Sequence, residues 1–280
     1  MGPKDLVLIG QLRAQQRSIS LSSRKESQAM PIPYLRKLTG KDRSQQANRH
    51  LAYFLSFIAG AINAGGFLAV GQYTSHMSGI VSSMADNLAL GSIGLMLASL
   101  ASLLAFLAGA MTSALLINWG RRQALQAEYA LPLMLEAGLL LLFGLLGGNL
   151  EGHQWLFVPL TVILLCYIMG LQNAIITKIS KAEIRTTHIT GMVTDIGIEL
   201  GKLFYWNRLK PGPGRQEVLG DRDKLRLLAT LVALFFSGGL IGAMGFKQVG
   251  FIATAPLAAT LMCLAIVPIC DDFLKFRRKA

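Results

Sequence analysis

The chain is short of charge. Charged residues make up 15% of its 280 positions against 52% hydrophobic ones, and the mean hydropathy is +0.48. The apolar residues gather in blocks such as Gly91–Ile117 and Trp155–Ile176, which have almost no polar face at helical period. A soluble helical protein needs that face, so an ordinary cytosolic bundle is excluded. Cysteine is scarce too. Cys166, Cys263 and Cys270 stand in or beside apolar segments, with no C-x-x-C spacing, so neither a disulfide framework nor a thiolate metal site is implied. H-E-x-x-H and G-x-S-x-G are absent, which removes the best-marked hydrolase classes. No motif asks for a cofactor or metal. Acidic residues are outnumbered, 15 to 27, giving a net charge of +12. A basic balance can mark nucleic-acid binding, but here the cations lie in a tail and short loops beside apolar spans, as membrane topology requires. No nucleic-acid partner is expected.

Blocks of about 20 apolar residues fit a bilayer core about 30 Å thick. The expected fold is therefore an all-α polytopic membrane protein in the cell membrane, with lipid as its first partner. Six segments predict full spans, at about 51–71, 95–118, 131–149, 156–177, 227–246 and 249–270. Two shorter, more polar segments, about 75–91 and 187–204, either span or enter and return. Residues 1–48 read as a disordered basic cytoplasmic tail, with ten Lys/Arg and three Asp/Glu in the first 50 positions. Residues 272–280 read as a second basic tail. Lys202–Arg226 carries seven cations and contains Pro211-Gly212-Pro213-Gly214, which cannot continue a helix and predicts a loop. With both short segments re-entrant and both termini cytoplasmic, 26 of the 27 Lys/Arg face the cytoplasm, Lys247 alone excepted; with all eight segments spanning, 21 do. The positive-inside rule favours the first arrangement.

The most informative feature is a repetition. Thr74-Ser-His-Met-Ser-Gly-Ile-Val81 returns as Thr186-Thr-His-Ile-Thr-Gly-Met-Val193, 112 positions later. Gly60-Ala-Ile-Asn63-Ala64 precedes the first copy and Gly170-Leu-Gln-Asn173-Ala174 the second, with Asn-to-His gaps of 13 and 15 residues. Downstream, Phe106-Leu-Ala-Gly109 weakly matches Phe236-Ser-Gly-Gly239. The chain thus divides into two internal repeats, about 51–149 and 156–270, inside a membrane domain of residues 49–271. Three spans per half make the repeats inverted and four make them parallel; inverted repeats are common among transporters, with the site near the midplane.

The run Ala59-Gly60, Asn63-Ala64, Gly66-Phe67-Leu68 and Ser75-His76-Met77-Ser78-Gly79, with Gly170–Ala174 and Thr186–Gly191, resembles the YoaK family of bacterial membrane proteins, domain of unknown function 1275. The resemblance covers about residues 50–270. It implies a polytopic bacterial membrane protein and supplies no substrate or reaction. Asn63 and Ile80 stand where that family usually has Asp and Asn, so a first-helix role needing a carboxylate is not carried over.

Threonine or serine before a helix suits an N-cap, which places Thr74/Ser75 and Thr186/Thr187 at helix starts. A helix starting inside a membrane leaves N–H groups and a positive dipole end toward an anion or carboxylate. Gly79 and Gly191 then admit another backbone. The candidate solute-binding set is Thr74, Ser75, His76, Ser78, Gly79, Thr186, Thr187, His188, Thr190 and Gly191, with Asn63 and Asn173. His188, Asp195 and Glu199 lie within about 20° of one helical line and are the candidate proton-coupling chain; the matching His76, Ser83 and Asn87 are uncharged. Other readings stand beside these. The histidines and asparagines hold helices together, Asp195 and Glu199 pair with Lys202 near the interface, and Glu136, alone in its apolar block, either snorkels or is buried for function. The leading expectation is a transporter or facilitator of a small polar or anionic solute, with proton coupling as one form. A passive channel, a membrane-embedded metal enzyme using the two His and two carboxylates, and a scaffold acting through the basic tail are the alternatives. Solute and oligomeric state are not legible.

Overall fold

The computed structural model describes residues 32–40, 44–147, 154–179, 187–205 and 218–279. All secondary structure among them is helical. The helices are α1 (Ile32–Thr39), α2 (Gln45–Val70), α3 (Met77–Ala89), α4 (Ile93–Arg122), α5 (Ala130–Gly147), α6 (Gln154–Ile179), α7 (Ile189–Phe204), α8 (Arg222–Val249) and α9 (Thr254–Lys279), with a 3-10 turn at Gly250–Ala253. Among the described residues, five apolar stretches are long enough to cross a bilayer: Gln45–Val70, Ile93–Arg122, Ala130–Gly147, Phe157–Ile179 and the 56-residue Arg222–Arg277. The chain is a multi-pass membrane protein. The last stretch is not one rod. It breaks at Gly250, whose φ of 63° suits only glycine, and Leu234 and Leu257 on its two arms line the same cavity, so the chain reverses there.

Local chemistry sets the helix ends. Ser44 Oγ accepts from the Ala47 N–H at 3.2 Å and caps α2. At the other end Gly71, with φ 71°, returns its N–H to the Phe67 carbonyl at 2.8 Å. Asp221 caps α8 by accepting from the Asp223 and Lys224 N–H groups, both at 3.0 Å.

Four glycines set how the long helices cross. A Cβ on Gly60 would strike the Phe235 carbonyl and one on Gly238 the Phe57 carbonyl, joining α2 to α8. A Cβ on Gly170 would strike the Phe106 carbonyl and one on Gly109 the Tyr167 carbonyl, joining α4 to α6. Small residues allow this closeness, which membrane helices use in place of the hydrophobic effect. The matching pair is therefore Phe106/Gly109 with Phe235/Gly238, one residue earlier than the sequence alignment on Phe236/Gly239. Contacts also fix direction. Phe57–Gly238, Ala61–Gly242 and Gly65–Phe246 advance together, so α2 and α8 are parallel. Phe106–Gly170 and Asn118–Lys178 make α4 and α6 parallel. Asn48–Ile179 and Gly66–Leu165 run oppositely, so α2 and α6 are antiparallel, as are α5 and α9, from Ala127–Asp272 to Gly144–Thr254.

Helices α2 and α6 are central, with 50% and 56% of their apolar windows buried, whereas α4 buries 17% and turns Leu104, Leu107, Met111 and Leu115 outward. That outward face suits acyl chains.

Parts of both expected tails are helical. Residues 32–39, expected within a disordered tail, form α1, which is tied to α9 by Arg36–Asp271 (2.5 Å) and by the Thr39 hydroxyl on the Leu264 carbonyl (2.7 Å). Residues 272–279, expected as a second tail, continue α9; Asp272 is buried and accepts from the Gln126 and Ala127 N–H groups at 3.0 and 2.8 Å, holding the α4–α5 turn. The PGPG segment and residues 1–31 lie outside the described residues.

Candidate functional site

Each repeated octet sits at a chain break between a central helix and a short one. Short helix α3 has 13 residues and α7 has 16. At both breaks the same bond forms. The Ser75 hydroxyl donates to Asn63 Oδ1 at 2.8 Å, and the Thr187 hydroxyl donates to Asn173 Oδ1 at 2.6 Å. The sequence offers these residues separately, as helix caps and as glue or ligands; the structure joins them into one tether from the central helix to the start of the short one. The N-cap expectation is corrected accordingly. The cap positions are His76 (φ −95°, ψ 74°) and His188 (φ −85°, ψ 58°), and neither start receives a side-chain cap bond. Ser75 and Thr187 are spent on the asparagines, and Thr74 is fully buried with its hydroxyl unpartnered. Thr186 lies outside the described residues.

Gly79 and Gly191 also have a role other than the expected one. A Cβ on Gly79 would sit 2.7 Å from His76 Nδ1, and one on Gly191 would collide with His188 Nδ1. The imidazole folds back over the first turn of its own helix, and glycine leaves room for the ring rather than for a second backbone. Ser78 and Thr190 are exposed on these first turns.

In the first half this arrangement opens into a cavity of about 760 Å³ between α3, α4 and α6. His76, Ser83 and Asn87, one line of α3, face it together with Gln72, Ser99 and Ser102, and Val158, Val162, Ile163 and Leu95 form apolar wall. The uncapped first turn of α3 reaches it through Gly79. Asn87 Nδ2 donates to Ser83 Oγ at 3.1 Å, linking two of the residues that line it. Such a pocket, mostly apolar with a few convergent polar groups, is the usual form of a small-molecule site. His188 is not among its lining residues.

The corresponding line of α7 is used differently. Glu199 is 2% exposed and accepts from the Asp221 N–H at 2.9 Å and from Lys202 Nζ at 2.9 Å, with Lys224 Nζ at 3.8 Å. The Asp221 backbone bond and the Lys202 ammonium hold its carboxyl below the ordinary value of 4.5. Asp195, half-exposed, meets Lys224 Nζ at 3.5 Å. Both carboxylates thus bind the end of α7 to the start of α8. His188, eleven residues before Glu199, stands about 16 Å away along the helix. Among the described residues no group of three His, Cys, Asp or Glu gathers as a metal centre would require.

Glu136 is fully buried, so it does not snorkel; its Oε1 accepts from Gln172 Nε2 at 2.8 Å. Gln72, Ser99 and Ser102 were missed as site residues. Serines in an apolar block look like packing, and no periodicity marks the loop position of Gln72.

Residues 51–267 match the family described as Protein of unknown function (DUF1275). No curated protein and no solved structure matches the chain.

Proposed function

We propose that this chain, which belongs to the DUF1275 family, moves a small polar or anionic solute across the membrane. The observation that carries the reading is the cavity of about 760 Å³ at the bare start of α3, where His76, Ser83 and Asn87 line one wall. Free backbone N–H groups at such a start favour an anionic group, an imidazole adds a donor or acceptor, and the apolar wall takes the rest of a small molecule.

Topology supports it. At 1.5 Å per residue, 13 residues reach about 20 Å, short of a bilayer core of about 30 Å. In our reading α3 and α7 enter and return, α2, α4, α5, α6, α8 and α9 each cross once, and the two halves are inverted copies. If α7 also spanned, three crossings would lie between α5 and α9 and make those helices parallel; they are antiparallel. Antiparallel α2 and α6 agree with inversion, and the cation distribution favours both termini in the cytoplasm.

The test is solute counterflow in proteoliposomes over a panel of small anions and zwitterions. Saturable exchange that falls with His76→Ala and Asn87→Ala, at unchanged insertion, is expected. Absence of flux for every solute with folded protein overturns the reading, and flux without saturation or exchange assigns a passive channel instead. Cysteine accessibility at 72–92 and 187–205, with Cys166, Cys263 and Cys270 replaced by serine, tests the topology. Labelling of α3 and α7 from one side each is expected, and labelling of the two ends of either helix from opposite sides makes it a crossing helix.

A further inference from the structure

Between α5 and α6 lies a carboxyl group that neither short helix uses. Glu136 is 0% exposed, as is Gln172. The amide donates through Nε2 to Glu136 Oε1 at 2.8 Å. The other two oxygens of the pair, Glu136 Oε2 and Gln172 Oε1, are both buried without a hydrogen-bond partner. Gln172 belongs to the Gly170–Ala174 segment and adjoins Asn173, the tether of Thr187.

Among the described residues no counter-ion comes from the surrounding helices. On α6, the Tyr167 hydroxyl is given to Thr112, Lys178 to Asn118, and Cys166 lies in a separate cluster with Ile80 and Ala105. On α4, Arg121 is engaged by Glu128 and Tyr129 at the cytoplasmic end in the proposed orientation. On α9, the antiparallel register sets residues 261–265 level with Glu136; Cys263 among them is exposed, and Asp271 and Asp272 are held by Arg36 and by the α4–α5 turn. A carboxylate in this place would be an unpaired, desolvated charge within the membrane. It would also leave Gln172 Oε1 bare, because a carboxylate has no donor. A carboxylic acid supplies the one O–H the pair lacks. Acid and primary amide then close a ring of two hydrogen bonds, Nε2–H to Oε1 and Oε2–H to Gln172 Oε1.

We propose that Glu136 is a proton-binding site inside the membrane, filled in this conformation through its pairing with Gln172 and emptied when α5 and α6 part and admit water. On emptying, the Oε2–H bond breaks, the proton passes to water, and the carboxylate remains hydrated. Proton occupancy stands on the hydrogen-bond account alone. Its use rests on the transport reading, in which coupling runs through Glu136 rather than through the clamped Asp195 and Glu199.

Infrared difference spectroscopy of the full chain in nanodiscs tests it. A carboxylic-acid carbonyl band at neutral pH, lost in Glu136→Gln, is expected. That variant keeps its fold because two amides close the same ring. Gln172→Leu, which leaves the acid in place, shifts the band instead of removing it. The band is expected to fade reversibly on alkaline titration while circular dichroism stays constant. Absence of a Glu136-dependent band at neutral pH overturns the proposal, as does a band undiminished up to the alkaline limit of the folded protein. If the band behaves as expected but wild type moves no solute, the transport reading fails and the proton site stands. If exchange is seen but remains equally pH-dependent in Glu136→Gln, the coupling role fails.

Discussion

Helices α3 and α7 start alike and end differently. Both hang from a central asparagine by a Ser or Thr hydroxyl, and both lay a histidine over a glycine in the first turn. Three turns on, α3 presents Ser83 and Asn87 to a cavity, whereas α7 spends Asp195 and Glu199 on Lys202, Lys224 and the Asp221 N–H. The shared part is the machinery that starts the short helix. The unshared part decides whether the polar line faces a cavity or fastens to the next helix.

That contrast can be broken at several points. The largest effect belongs to the crossings that both halves use. Gly60→Val and Gly170→Val drive a side chain into a backbone carbonyl, and each should remove most monodisperse protein in fluorescence-detected size exclusion, consistent with overpacking costs of about 1–3 kcal/mol or more. A lone effect at one glycine would mean that the crossings are not equivalent. Next, Glu199→Gln should lower Tm clearly, while Asn87→Gln leaves it unchanged. The sign with pH follows from a depressed carboxyl. Its contribution is present above the unfolded value near 4.5 and is lost as pH falls through the lower folded value. Thermal melts below pH 4.5 should therefore converge for wild type and Glu199→Gln. Third, His76→Ala should reduce exchange about fivefold, the worth of roughly one hydrogen bond, with His188→Ala nearer wild type; equal losses would return His188 to a shared site. Smallest, Ser75→Ala and Thr187→Val should each cost about 0.6 kcal/mol, typical of interhelical bonds in membranes, and should do so equally.

The sequence revealed the apolar helices because their burial needs length and composition alone. The short segments were legible as different because Ser82, Ser83, Asn87, Thr194 and Asp195 interrupt them. The tether was not legible as a bond. Asn63 to Ser75 crosses a helix end, and only the chain's turn at Gly71 brings them together. The same holds for Glu199, whose main partner lies 22 residues on, and for Glu136 and Gln172, 36 apart. Assigning Ser75 and Thr187 as caps failed because residue preference ranks a hydroxyl above an imidazole, while these hydroxyls, beside the histidines, were already committed to side-chain partners.

The glycine crossings also decide what could be cut. Each fuses a first helix of one half to a third helix of the other, so neither half holds its own partner. A gene split between residues 147 and 154 would yield two fragments, each with a bare glycine groove that only the other fills. Produced together they should reassemble, and produced singly neither should survive extraction. The two segments are clasped hands rather than two domains side by side.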